Sequence, residues 1–391
     1  MKLKSLLFGT AAALVATTGA RAADAIVYAE PEPMEYVRIC DVYGAGFFYI
    51  PGTETCLQIS GYVWYQISAN SNWDYWAKSV RARVNFDART DTAWGLLRSY
   101  IRVQGSWDPA NQTVRSSVTD LLGLVSIPPG IVNSTANLGT DGAAFIDQAF
   151  LELGGLRMGY TESAWVASQS AGVAQYGSHS WSGLSYGYQQ RALISYTFTG
   201  GNGFAATISL EDDGNANYMP DVVAAVMINQ GWGGVWAKVG YDEDRSPPSL
   251  VPGLLPAPAS FLGARAAGLS GSDGWGAQVG MQLNVPNSPG SSFRLIGYYA
   301  NNANAYSVGS RWSVLASYGH QINPQLFASA GFQWFGDTNY GAAGNPNAWQ
   351  GELNVVWTPV TQFEVRAEYN YFKASGVSGV HSGYLRFTRY F

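Results

Sequence analysis

From Leu57 to Phe391 apolar and polar residues alternate in segments broken by Gly, Pro, Asn, Asp and Ser. Between Gln362 and Phe372, the residues Phe363, Val365, Ala367, Tyr369 and Tyr371 form one row, and Glu364, Arg366, Glu368 and Asn370 form the other. The same split recurs at Gly351 to Thr358, Ala277 to Val285 and Arg191 to Thr199. A helix sends residues i and i+2 to different sides, so a two-residue period marks strands. The pattern predicts sixteen of them, at about 57–68, 78–88, 94–107, 143–154, 155–161, 189–199, 203–212, 222–230, 233–242, 273–285, 291–301, 306–321, 325–337, 348–358, 361–373 and 381–391. Tight turns such as Gly154-Gly155 and Asn323-Pro324 alternate with long connections at about 108–142, 162–188 and 243–272. In the segment 143–154, Asp147 and Glu152 fall on opposite parities, which leaves its register open.

Composition decides what such strands face. Charged residues are 13% of the chain, aromatics 14%, and Gly occurs 46 times. A soluble surface normally carries roughly twice that charge. The first residues combine Lys2 and Lys4, an apolar stretch from Leu6 to Val15 and a small-residue close at Ala20-Arg21-Ala22, the layout of a secretory signal peptide over 1–22. No later apolar run approaches the ~20 residues of a spanning helix. The expectation is an all-β, sixteen-stranded antiparallel transmembrane barrel over 57–391, because a closed sheet is the other way to satisfy every backbone group in lipid. Loss of the leader's three basic residues leaves 19 Lys+Arg against 27 Asp+Glu, a net charge of −8 that argues against nucleic acid as a partner.

Cys40 and Cys56 are the only cysteines. Export carries both into an oxidising compartment, where a disulfide is the default and free or metal-bound thiols are the alternative. The bridge would stabilise the periplasmic N-terminal segment, 23–56, by roughly 3 kcal/mol in the chain-entropy model.

The run from Glu35 through Cys40, Gly44, Gly46, Pro51 and Cys56 to Leu57, leading into Ile59-Ser60-Gly61-Tyr62-Val63, resembles the N-terminal signature of the alphaproteobacterial porin family. Gln148 to Tyr160 resembles the hairpin before the third loop of trimeric porins. The end, Tyr384 to Phe391, resembles the signal read by barrel-assembly machinery, with Phe387 and Phe391 in the outward row and Arg389 departing from it. The resemblance spans essentially the whole mature chain. It implies an outer-membrane homotrimer, seated in lipid and lipopolysaccharide, that passes small hydrophilic solutes by diffusion and needs no cofactor.

Alternation in the second and third strands sends Arg81, Arg83, Arg98 and Arg102 to one interior face. Porins of this kind place such a cluster opposite an inward-folded third loop, so these residues resemble half of a constriction zone. The alternative is that lumenal carboxylates such as Asp87 or Glu364 neutralise them. The third loop, at about Thr161 to Tyr188, offers Glu162 as its only carboxylate, with Trp165, Tyr176, His179 and Trp181. Few acids there favour anion preference or weak selectivity, since local fields outweigh net charge.

The loop at 108–142 is unexpectedly apolar, from Leu121 to Val132, and suits either contact with a neighbouring subunit or packing on its own barrel. Pro247 to Gly271 reads as a mobile outer loop. Trp94, Trp107, Trp232, Trp334 and Trp357 lie near strand ends, as interfacial girdles require, with sugar stacking as the sharper reading. His179, His320 and His381 are isolated and no metal spacing or nucleophile motif accompanies them, so neither an enzyme nor a metal site is expected. A substrate-specific channel for sugars or anions, or a surface receptor, is the competing function.

Overall fold

The computed structural model describes residues 38–72, 75–107, 144–166, 177–212, 218–243, 273–340 and 346–391. The expected leader, the apolar loop at 108–142, Tyr176 and the stretch Pro247 to Gly271 lie outside these residues. A short strand β1 (Phe47–Tyr49) precedes sixteen long ones: β2 (Cys56–Asn70), β3 (Ala77–Thr92), β4 (Gly95–Trp107), β5 (Ala144–Leu153), β6 (Leu156–Glu162), β7 (Gln190–Thr199), β8 (Phe204–Glu211), β9 (Asp221–Gln230), β10 (Gly233–Asp242), β11 (Gly274–Asn284), β12 (Ser292–Ala300), β13 (Trp312–Asn323), β14 (Leu326–Gly336), β15 (Ala348–Val360), β16 (Phe363–Ala374) and β17 (Val380–Tyr390).

Each long strand pairs antiparallel with its chain neighbours, and β17 pairs with β2 in the register Arg386 to Gln66 and Thr388 to Trp64. The sheet is therefore a closed sixteen-stranded barrel without a free edge, as a spanning sheet requires. On β16, Ala367 and Tyr369 are exposed on the outer wall, while Glu368 and Asn370 are buried inside. Val279, Leu353 and Val355 face outward from other strands. Trp94, Trp107, Trp232, Trp334 and Trp357 are all exposed near strand ends, where an amphipathic ring meets both lipid tails and headgroups. The rim that carries the start of β2 and the end of β17 also carries the tight turns β3–β4, β5–β6 and β15–β16.

Two local features depart from simple alternation. The strand expected from residue 306 begins at Trp312. The preceding segment dips into the barrel instead, and Tyr306 packs on Trp165 at 5.6 Å between ring centroids. Gly240 and Gly276 leave room for it, since a Cβ at Gly240 would fall inside the Tyr306 ring. The second departure is a bulge between β4 and β5, where Arg102 pairs with Gln148 and Val103 with Ile146. Asp147 is the extra residue, and the bulge turns it inward beside Gln148. This resolves the parity conflict with Glu152, because both carboxylates now face the lumen.

At the turn-bearing rim, Cys40 and Cys56 form a disulfide. Its loop packs Tyr43 and Phe47 against Arg89 of β3, with the guanidinium 5.8 and 4.9 Å from the two ring centroids. Gln58 donates to the Ala45 carbonyl at 3.0 Å.

Candidate pore constriction

The third loop enters the lumen and lines the far wall. At its start, Ala164 N donates to Glu211 Oε1 at 2.9 Å, and Lys238 Nζ donates to the carbonyls of Ala164 and Trp165 at 3.2 and 3.1 Å. Gln278 Nε2 also donates to Trp165 O. These buried hydrogen bonds satisfy backbone groups that the loop would otherwise strand away from water.

Farther along, the loop reaches β12 to β16. His179 shares hydrogen bonds with Ser317 Oγ at 2.6 Å and Ser292 Oγ at 2.8 Å. Burial first, and the Arg294 charge second, lower its pKa from 6.5 to about 3, so the imidazole is neutral at any physiological pH. Ser180 and Ser182 donate to Glu352 Oε2 at 2.6 and 3.4 Å, and Trp181 N donates to Glu368 Oε2 at 3.1 Å. Ser185 N donates to Gln333 Oε1, and Gln333 returns a bond to Ser185 O. A buried apolar cluster that includes Trp165, Leu184, Trp236, Tyr298, Tyr306 and Phe335 fills the space behind the loop. The loop thus occupies the side of the lumen bounded by β8 to β16, and the wall of β2 to β5 and β17 faces it.

The four arginines expected on that wall all point inward, and the structure brings them together on β3 and β4. Arg98 donates to both oxygens of Asp87 at 2.9 and 2.8 Å and lies 3.5 Å from Glu152. Arg102 Nε donates to Asp147 Oδ2 at 2.5 Å, and Arg83 lies 3.5 Å from the same oxygen. Arg83 also forms a forked bond to Gln104 Oε1. Arg81 differs: its Nε donates to Ser106 Oγ at 3.1 Å and its guanidinium stands 5.2 Å from the Trp64 ring centroid, with no ion pair among the described residues. Of the two carboxylates named as neutralising candidates, Asp87 holds Arg89 and Arg98, whereas Glu364 pairs with Arg366 on β16.

Glu162 sits at the end of β6, only 6% exposed, and accepts a long 3.5 Å bond from Gln148. It belongs to the buried base of the loop rather than to its tip. The acids that meet the tip come instead from the barrel wall, Glu352 on β15 and Glu368 on β16.

Sequence reasoning passed over the residues that touch the tip. Arg386 of β17 is clamped among the rings of Trp64, Trp181 and Tyr384, at 4.8, 4.7 and 4.5 Å from their centroids. Arg366 of β16 also approaches Trp181, at 5.9 Å from its ring centroid. Tyr62 lies edge-on to Trp181 at 6.4 Å. The available signal was parity: Arg386 alternates with Leu385 and Phe387, and Trp64 alternates with Val63 and Tyr65. Phe391 extends past β17, where it exchanges backbone hydrogen bonds with Gly61, and Arg389 remains outside at the rim, bonded to Gln362.

The chain is 38% identical to porin Omp2a of Brucella ovis over 266 residues, which cover 62% of this chain and 71% of the relative. It is 37% identical to porin Omp2b of Brucella abortus over 271 residues, covering 62% and 66%. Among solved structures, the outer-membrane channel DcaP of Acinetobacter baumannii shares the fold at a TM-score of 0.60 and 14% identity, over 88% of this chain and 99% of that one. The trimer form of OmpT from Vibrio cholerae does so at 0.56 and 12% identity, over 87% and 100%. The porin subfamily model matches residues 24–384, and with a closed sixteen-stranded barrel beneath that match the chain belongs to the alphaproteobacterial porin family.

Proposed function

We propose that this outer-membrane porin passes small hydrophilic solutes and ions by passive diffusion, through a bore bounded by the third loop on one side and Arg81, Arg83, Arg98 and Arg102 on the other. The family makes it a channel rather than an enzyme. One observation carries the selectivity. Arg83, Arg98 and Arg102 stand beside Asp87, Asp147 or Glu152, whereas Arg81 and Arg386 make no ion pair among the described residues. Arg386 meets Trp181 at the loop tip, where Glu368 also accepts from Trp181 N, so the positive charge is partly offset and the bore leans only weakly toward anions. Guanidinium groups hold that charge at every working pH.

The remaining assignments belong to the same reading. Residues 1–22 direct export, 23–56 form the disulfide-clipped periplasmic segment, and 57–391 form the barrel. The outward rows of β2 to β5 are apolar or small, including Gly61, Val63, Ala82, Val84, Ser99, Ile101 and Leu151, and suit a homotrimer contact in a lipid and lipopolysaccharide bilayer. Phe387 and Phe391 serve as the signal to the assembly machinery.

Reconstitution into a planar bilayer under a salt gradient tests the proposal. Stepwise channels with a modest anion-favouring reversal potential are expected, and Arg81→Gln with Arg386→Gln should abolish the preference. A cation preference that survives that pair of substitutions would overturn the selectivity assignment, and absence of channels would overturn the function.

A further inference from the structure

Resting on the diffusion reading, we infer that the wall beneath Trp181 holds a discrete binding site for a small inorganic anion, built from Tyr62, Trp64, Arg81 and Arg386. Three polar groups there are fully buried yet have no hydrogen-bond partner among the described residues: the Tyr62 hydroxyl, Trp64 Nε1 and Arg386 Nη1. Their residues are 6, 5 and 6% exposed. Buried donors are ordinarily paired, and each orphan costs stability unless a ligand repays it.

The register puts all three on one patch. Tyr62 and Trp64 are successive inward residues of β2, opposite Arg83 and Arg81 of β3. On the other flank, Trp64 pairs with Thr388 and Gln66 with Arg386, so Arg386 is the diagonal neighbour of Trp64. Arg81 and Arg386 bracket the same indole, at 5.2 and 4.8 Å from its centroid.

The donor set selects the ligand. Indole and guanidinium nitrogens only donate, and the tyrosine hydroxyl can donate as well. Among the described residues neither cation has a carboxylate within ion-pair distance, whereas Arg83, one row away, lies 3.5 Å from Asp147. Arg386 commits Nε and Nη2 to Gln66 Oε1 at 2.8 and 2.6 Å, which fixes the guanidinium and leaves Nη1 facing away from that acceptor. Two cations without a direct ion pair among the described residues, set beside N–H and O–H donors on one wall patch, suit an anion better than a cation, with Glu368 held one ring away by the Tyr384 hydroxyl. A sugar fits less well, because the unpartnered indole and guanidinium nitrogens only donate, whereas sugar hydroxyls also need acceptors. Trp181 stands against Arg386 and edge-on to Tyr62, and Arg81, only partly buried, marks the side from which an anion arrives.

Single-channel conductance measured against KCl concentration provides the test, with chloride as the probe. A site that binds chloride makes the anion current saturate. Arg386→Gln and Trp64→Phe, the second keeping the ring and charge while removing one donor, should each raise the half-saturating concentration, about tenfold for the loss of a charged donor. Trimer migration on unheated gels would show that each variant has folded. Linear conductance in the wild-type channel, or saturation unchanged in both folded variants, would overturn the site. Either result leaves the diffusion reading standing, since that reading fails only where no channels form.

Discussion

Replacing Asp147 by Asn tests whether the bulge on β5 sets the charge of the bore. The Asp147 carboxylate accepts from Arg102 Nε at 2.5 Å and faces Arg83 at 3.5 Å, and the Asp147 and Arg102 side chains are 10 and 3% exposed. Removing a whole partner from a buried pair costs about 3–5 kcal/mol. Asn keeps a carbonyl acceptor for Arg102, so the expected loss is smaller, roughly 2 kcal/mol. The electrical effect follows from one uncovered positive charge. At about 6 Å from a passing ion in water its energy is about 0.7 kcal/mol, and screening at 0.1 M salt cuts this to about 0.4 kcal/mol. Anions and cations shift in opposite senses, so the permeability ratio should move toward anions by about fourfold, and by more if the low-dielectric wall focuses the field. The assay is the reversal potential of reconstituted channels under a tenfold salt gradient, with denaturation of the purified protein read in parallel. An unchanged reversal potential in a folded variant would refute the claim that Asp147 neutralises the wall.

His179 yields a pH prediction of definite sign. Its folded pKa of about 3 lies below the ordinary 6.5, so the unfolded chain binds the extra proton, and this contribution to stability falls as pH drops from about 6.5 toward 3. Thermal denaturation between pH 7 and pH 4 should show a decline that His179→Gln reduces, and identical slopes would contradict the half-buried neutral imidazole. Cys40→Ser with Cys56→Ser should leave conductance intact while opening the clip at Gly44 to Gly52 to protease, as limited proteolysis with mass spectrometry would show. Gly240→Val should expel Tyr306 from its seat on β10 and loosen the third loop through Trp165, read as single-channel current noisier than the wild type's; a variant as quiet as the wild type would count against that coupling.

Strand number, orientation and the inward set Arg81, Arg83, Arg98 and Arg102 were legible in the alternating pattern, because lipid outside and water inside impose a two-residue period on every strand. The Cys40 and Cys56 pairing was legible for a similar reason, since two exported cysteines have few other fates. Parity fails wherever the chain breaks its period. Asp147 and Glu152 fall on opposite parities, and only the bulge at Arg102, which adds a residue, lets both face inward; the segment before Trp312 alternates like a strand yet folds inward over the glycines of β10 and β11. Glu162 lies in the loop by sequence but in its buried base by geometry, while Glu352 and Glu368, far off in the chain, meet the loop tip. Sequence by itself determined the barrel and which face each strand residue takes, since those follow from local period. Only the tertiary structure decided which charges cancel and that Arg386 is caught between Trp64 and Trp181, because barrel closure sets β17 beside β2 and brings together residues more than three hundred positions apart.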